Sequence, residues 1–114
     1  MTEQPDREFL LSLFLMEAWD TVSTLEEGAG SLRDGGDIEP MLVVTHRLRG
    51  AAALHGFPAL AAEAAELESM LEHAQELAPQ ERGHLADALD QSVTRLRESL
   101  ERVGLEAVPP SEPA

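Results

Sequence analysis

Apolar residues recur at helical spacing in four stretches of this chain, and glycine or proline separates each stretch from the next. Residues three or four positions apart share one face of an α-helix, so this spacing predicts helices rather than strands. The breaks read RDGGD (33–37), HGFP (55–58) and AP (78–79). We therefore expect helices at 5–33, 38–54, 58–77 and 80–103.

Helices with short connections pack as antiparallel neighbours, so the predicted fold is all-α, an up-down-up-down four-helix bundle. We expect one domain at 1–104, with Gly104 ending the fourth helix and a Pro-rich tail or linker at 105–114. Gly56 suits the left-handed conformation that often ends a helix.

The predicted core is aliphatic, because the chain has one Trp, three Phe and no Tyr. The expected core positions follow the apolar spacing within each predicted helix. They are Phe9, Leu13, Met16, Val22, Leu25, Ala29 and Leu32; Met41, Val44, Thr45, Leu48, Ala51 and Ala52; Leu60, Ala64, Leu67 and Leu71; and Leu85, Leu89, Val93, Leu96, Leu100 and Val103.

Composition narrows the possible functions. A net charge of −14 argues against binding nucleic acid or an anionic membrane surface. The absence of cysteine excludes disulfides and thiol chemistry. We see no signal peptide, and the longest apolar stretch, 9–16, is too short to span a bilayer. We expect a cytoplasmic protein, monomeric as an isolated domain.

The stretch THRLRGAAALHGF (45–57) differs from its acidic, leucine-rich surroundings. His46 and Gly50 share a helix face outside the predicted core stripe, although a mid-helix glycine costs about 1 kcal/mol relative to alanine. The missing side chain of Gly50 leaves space beside the imidazole for another protein to approach. Arg49, also one turn from His46, places a cation there that matches phosphate with two parallel hydrogen bonds. Close helix packing is the alternative explanation of Gly50.

A nucleophilic imidazole needs an acceptor for one ring N–H, which leaves the other nitrogen free. His46 and Glu68 each lie eleven residues from Phe57, inside the break between two predicted antiparallel helices, so they should lie level. Glu68 also continues a stripe of alanines that allows the two helices to approach closely. Glu66 is nearly level but belongs to another face, so we expect Glu68 to orient His46.

The run HRLRGAAALHG resembles the signature of the histidine-phosphotransfer (HPt) family, in which His, an aliphatic residue, Lys or Arg, Gly, two small residues and a second Gly recur. These are His46, Leu48, Arg49, Gly50, Ala51, Ala52 and Gly56. The first helix FLLSLFLMEAWDTVSTLEE, the run GFPAL and Glu68 are similar to the N-terminal phosphotransfer domain of chemotaxis-type (CheA-like) sensor kinases. His55 departs from this pattern, at a position often apolar or aromatic.

The resemblance implies that His46 carries a phosphoryl group on one ring nitrogen, while Glu68 bonds the other. His46 would accept this group from a histidine kinase catalytic domain that binds ATP and Mg²⁺, and would pass it to an aspartate of a response-regulator receiver domain. The chain has no Gly-rich nucleotide loop, so we expect a phosphoryl carrier without its own kinase activity or cofactor. It could be a domain of a longer kinase or a free-standing carrier, and the CheA-like features favour the former.

Two other functions stay open at this point: a helical docking module that never carries phosphate, and a structural bundle within a larger signalling protein. His46 alone could be a surface histidine without a role, and Arg47 an ordinary solvated charge. We expect no metal site, because no two histidines have the His-x-His or i, i+4 spacing of metal ligands. His55, His73 and His84 are expected to be structural or solvated.

Overall fold

The computed structural model describes residues 4–34 and 36–107. They form four α-helices and one 3₁₀ helix, which lies between the third and fourth α-helices. The bounds are α1 (Gln4–Leu32), α2 (Glu39–Leu54), α3 (Pro58–Glu76), the 3₁₀ helix (Pro79–Leu85) and α4 (Ala86–Ala107). These residues contain no β-strand, so the predicted all-α class is confirmed.

The break between α2 and α3 has the predicted geometry. Gly56 has a φ of +84°, in the left-handed region that glycine adopts without steric cost. Pro58 then begins α3, where its missing N–H leaves no hydrogen bond unmade. At the start of α2, the side chain of Asp37 accepts a hydrogen bond of 3.2 Å from the backbone N–H of Glu39.

The fourth helix differs from the prediction of 80–103 at both ends. Its first part is the 3₁₀ helix, in which Arg82 donates hydrogen bonds to the backbone oxygens of Ala74 and Gly36 and so holds this segment against the last turn of α3 and the α1–α2 connection. Gly104 lies inside α4 instead of ending it, because among the described residues only Gly56 has a positive φ. Residues 108–114 of the predicted tail lie outside the described residues.

The predicted core faces of α3 and α4 are confirmed. Their central positions are at most 2% exposed: Leu60, Ala64, Leu67, Leu71, Leu89, Val93, Leu96 and Leu100. In the first half of α1, the prediction was wrong for Phe9 and Met16, which are 61% and 57% exposed. Val22 follows Met16 by six residues, a rotation of about 240°, so the two lie on different faces. The buried stripe continues back through Ala18 to Phe14, which was expected to widen the apolar face of this part of the helix.

The core lies between the four α-helices. α2 packs against α1 and α3, and α4 packs against the same two helices. Late in α1, Gly28 permits a close approach, because a Cβ there would overlap the side chain of Met41 early in α2. Earlier in α1, the ring of Phe14 stacks on those of His55 and Phe57, with centroids 4.8 and 5.7 Å apart.

None of the helices in the described part of the chain combines the length and the apolarity that crossing a membrane requires.

Candidate functional site

The packing of α2 places His46 on the surface. Thr45, Leu48 and Ala52 fix one face of the helix in the core. Each residue of an α-helix is rotated by about 100° from the one before it, so His46, which directly follows Thr45, is turned away from the buried face. The His46 side chain is 71% exposed, so its imidazole is accessible to another molecule.

Glu68 lies at the edge of the buried face of α3, and its side chain is only 9% exposed. Its Oε2 is 2.7 Å from Nδ1 of His46, and its Oε1 accepts a hydrogen bond of 2.7 Å from Nη1 of Arg49. The structure therefore brings together three of the residues predicted for the site. Glu66, the alternative acid, is exposed.

The contact between Arg49 and Glu68 was missed in the sequence analysis, which assigned Arg49 to phosphate alone. A signal was present, because Arg49 lies one turn after His46 and a long side chain can reach an acid that is level with His46. The Arg49 side chain is 52% exposed, so its guanidinium has donors available beyond the one used on Glu68.

The hydrogen bond from Arg49 is the largest influence on the pKa of Glu68, which lies below its ordinary value. Burial opposes this shift, and the hydrogen bond with His46 adds to it. Glu68 is therefore ionised at neutral pH and can only accept hydrogen bonds. Consequently Nδ1 of His46 is the donor in this hydrogen bond, which leaves Nε2 as the ring nitrogen that can present a lone pair.

Gly50 lies beside His46 in an open trough between α2 and α3. Small residues line most of this trough: Gly50, Ala53, Gly56, Pro58, Ala61 and Ala62. A Cβ at Gly50 would meet no atom within 4 Å, so packing inside the protein does not require glycine there. The absent side chain instead leaves the surface beside the imidazole clear.

The other histidines lie away from this trough. His55 stacks on Phe14 at the end of α2, which gives it a packing role. His73 and His84 are exposed. Within the described ranges, no three His, Asp or Glu side chains are grouped as a metal site would need.

A model of a protein family, the Hpt domain, matches residues 10–103 of the chain. The matched range covers α1 from Leu10, all of α2 and α3, and α4 as far as Val103. The comparisons with curated proteins and with solved structures gave no match. Because the family model covers most of the chain, the protein belongs to the Hpt domain family, whose members carry phosphoryl groups in histidine phosphorelays.

Proposed function

We propose that His46 is the histidine that carries the phosphoryl group in this Hpt domain. The observation that supports this most directly is the geometry of its ring: Nδ1 is held by Glu68 at 2.7 Å, while the side chain is 71% exposed. A held ring with one free nitrogen is the arrangement that a nucleophilic imidazole needs.

In the proposed reaction, the lone pair on Nε2 of His46 attacks the γ-phosphorus of ATP held by a kinase catalytic domain. The bond from phosphorus to the bridging oxygen breaks, and ADP leaves with those electrons. The ring then carries a proton on Nδ1 and phosphorus on Nε2, so it gains positive charge. The carboxylate of Glu68 offsets that charge through its hydrogen bond, a stabilisation that grows as the new bond forms.

The second transfer reverses the role of the ring. A carboxylate oxygen of an aspartate in a receiver domain attacks the phosphorus, the N–P bond breaks, and Nε2 regains its lone pair. The proton stays on Nδ1 throughout, hydrogen-bonded to the carboxylate of Glu68. The nucleotide and its Mg²⁺ belong to the partners, and the chain itself positions the nucleophile.

Arg49 makes two interactions in the proposed reaction, one with Glu68 and one with the phosphoryl group. One guanidinium nitrogen holds Glu68 in place and ionised, as its 2.7 Å contact supports. The remaining N–H groups are directed to the phosphoryl oxygens once the group is attached, since a guanidinium fork matches phosphate. Gly50 admits the partner's active site, because any larger residue there would stand beside the imidazole.

The partners are a histidine kinase catalytic domain and a receiver domain, and the likeness to chemotaxis-type kinases favours a domain that belongs to a longer kinase. We propose an antiparallel up-down-up-down bundle, supported by contacts that join Gly28 to Met41 and Glu39 to Gln75. We also propose that the domain works as a monomer in the cytoplasm, where ATP is available. Its charge of −14 disfavours self-association.

The decisive experiment incubates the chain with labelled ATP and each histidine kinase catalytic domain of the same organism. We expect a product that is labile in acid, formed by wild type and by His73→Gln and His84→Gln, and lost in His46→Gln. Labelling that survives His46→Gln would remove His46 from the reaction. The absence of labelling with every kinase would favour a docking module that never carries phosphate.

A further inference from the structure

The N-terminal half of α1 carries apolar side chains on the side of the helix that faces away from the core. Phe9 and Met16, nearly two turns apart, are 61% and 57% exposed, and Trp19, one turn after Met16, is 37% exposed. The half-buried Leu13 lies between Phe9 and Met16. These four residues form an apolar surface, which we call the α1 patch. It is about 15 Å long, because its ends lie ten residues apart on the helix.

This part of α1 projects past the helix beside it. Gly28 meets the start of α2 and Phe14 stacks on His55 at its end, so α1 before Phe14 continues beyond the α2–α3 turn. Exposure changes accordingly: Phe14 is 4% exposed, whereas Leu10, one turn earlier on the same side, is 54% exposed. The α1 patch therefore lies largely on a projecting helix. Contiguous exposed apolar surfaces of this kind are typical of interaction sites.

Acidic side chains flank the α1 patch on both edges. Glu8 directly precedes Phe9 and Glu17 directly follows Met16, so a rotation of about 100° per residue places the two acids on opposite edges. Asp20, one turn after Glu17, extends the second edge. All three acids are exposed, and within residues 4–34 and 36–107 none has an ion-pair partner within 4 Å. The α1 patch is thus an apolar strip between two negative edges.

These charges select among the molecules that could cover the α1 patch. A second copy of the chain is unfavourable, because antiparallel packing of two patches would place Glu8 of one copy level with Glu17 of the other. Residues 108–114 include one acid and no basic residue, so they offer these edges no opposite charge. An anionic membrane surface is repelled by the same acids. A helix that carries Lys or Arg on both sides of an apolar face complements the strip and both edges.

We propose that the α1 patch is a docking site for an amphipathic helix of another protein, with an apolar face flanked by Lys or Arg. This site is separate from the phosphorylation site. The middle of the patch is level with His55, which lies nine residues, or about 13 Å along α2, from His46. The trough beside His46 opens between α2 and α3, away from α1. A docked helix therefore leaves His46 accessible, and its binding does not require the phosphoryl group.

The test places the photo-cross-linking residue p-benzoylphenylalanine at Phe9 of the full chain, in the cells that make the protein, and sequences the cross-linked peptide. We expect a segment of another protein with apolar residues at helical spacing and Lys or Arg on both sides of them. The same product should form when His46 is also changed to Gln. A cross-link to a second copy, to residues 108–114 or to lipid would overturn the inference, as would a segment without basic flanks or the absence of any product.

The charge requirement is measured with a synthetic peptide of the cross-linked segment. The variant Glu8→Lys with Glu17→Lys should bind it about tenfold or more weakly than wild type, because both edges then repel the basic flanks. The control is Glu66→Lys with Glu76→Lys, which makes the same change of charge at two exposed acids of α3 and should bind like wild type. A peptide with Glu in place of its Lys and Arg should prefer the Glu8→Lys, Glu17→Lys chain. Equal affinity of the two doubly substituted chains for the basic peptide would overturn the inference.

Discussion

The α2–α3 interface and the α1–α4 interface both contain an arginine bonded to carboxylates, but in very different surroundings. At the α2–α3 interface, Glu68 is nearly buried, and both of its oxygens are engaged, by Arg49 and His46. A carboxylate with so little access to water depends on its protein partners to stay ionised. This interface can therefore fix the position of a proton on the His46 ring.

At the α1–α4 interface, Arg33, the residue that directly follows α1, bonds Asp87 at 2.9 Å and Asp90 at 3.2 Å, and all three side chains are at least half exposed. Exposed pairs of this kind keep their hydration and are screened by salt, so they contribute little to stability. The distances at the two interfaces are similar. What distinguishes the α2–α3 interface is the burial of its acid.

The largest effect is expected from removing the buried acid. Glu68→Ala should slow the reaction of His46 with phosphoramidate about 10-fold or more, since loss of a carboxylate that orients a histidine costs about 10- to 100-fold at metal sites and more in catalytic triads. Helicity should be unchanged. The matched variant at the other interface, Asp87→Ala, should react at the wild-type rate. Equal rates for Glu68→Ala and wild type would remove Glu68 from the mechanism. The α2–α3 and α1–α4 interfaces would then not differ in their effect on His46.

The next largest effect on transfer is expected from adding a side chain at Gly50. Gly50→Leu should reduce transfer from a kinase domain about tenfold or more, because the added side chain keeps the active site of the kinase away from the imidazole of His46. It should also raise the free energy of unfolding by about 0.5–1 kcal/mol, since leucine favours a helix over glycine. Gly30→Leu on α1, where a Cβ also meets nothing within 4 Å, is the control and should affect stability alone. Normal transfer by Gly50→Leu would show that the cleared space is unnecessary.

A smaller effect should separate the two arginines. Arg49→Ala leaves the buried Glu68 with one charged hydrogen bond fewer, which should lower the free energy of unfolding by about 1–2 kcal/mol. Arg33→Ala should leave the midpoint of urea unfolding unchanged, since its partners remain hydrated. If Arg33→Ala proved as destabilising as Arg49→Ala, burial would not be what distinguishes the two interfaces.

The smallest effect concerns acid stability. The pKa of Glu68 is lowered in the folded chain, so its carboxylate stabilises the fold above its ordinary pKa, and this stabilisation is lost as pH falls through the lowered value. Arg49→Ala removes the largest cause of the shift. Acid unfolding of that variant should therefore begin at a higher pH than in wild type. In Glu68→Ala, the part of the pH dependence of stability that comes from the Glu68 carboxylate should be missing. Urea unfolding between neutral and acidic pH measures this directly.

Simple helix geometry makes part of the fold and of the site predictable from the sequence. Glu68 could be paired with His46 because two residues equidistant from a turn lie level, and the core of α3 follows directly from its apolar spacing. The first half of α1 could not be assigned in this way, since apolar residues lie all around it and the buried face depends on which neighbours are level with it.

The bond between Arg49 and Glu68 also escaped prediction, because a flexible side chain can reach several acceptors and the sequence does not rank them. The 3₁₀ helix before α4 was missed for a related reason. Arg82 holds it through hydrogen bonds to the backbone oxygens of Ala74 and Gly36, which form only once the end of α3 and the α1–α2 connection are in place.

We infer that Glu68 fixes the proton of His46 on Nδ1, so that Nε2 takes the phosphoryl group. Nitrogen-15 NMR of the chain phosphorylated with phosphoramidate tests it directly. We predict phosphorus bonded to Nε2 of His46, a proton retained on Nδ1, and loss of the phosphohistidine signals in His46→Gln. Phosphorus on Nδ1, or on a different histidine, would contradict the account.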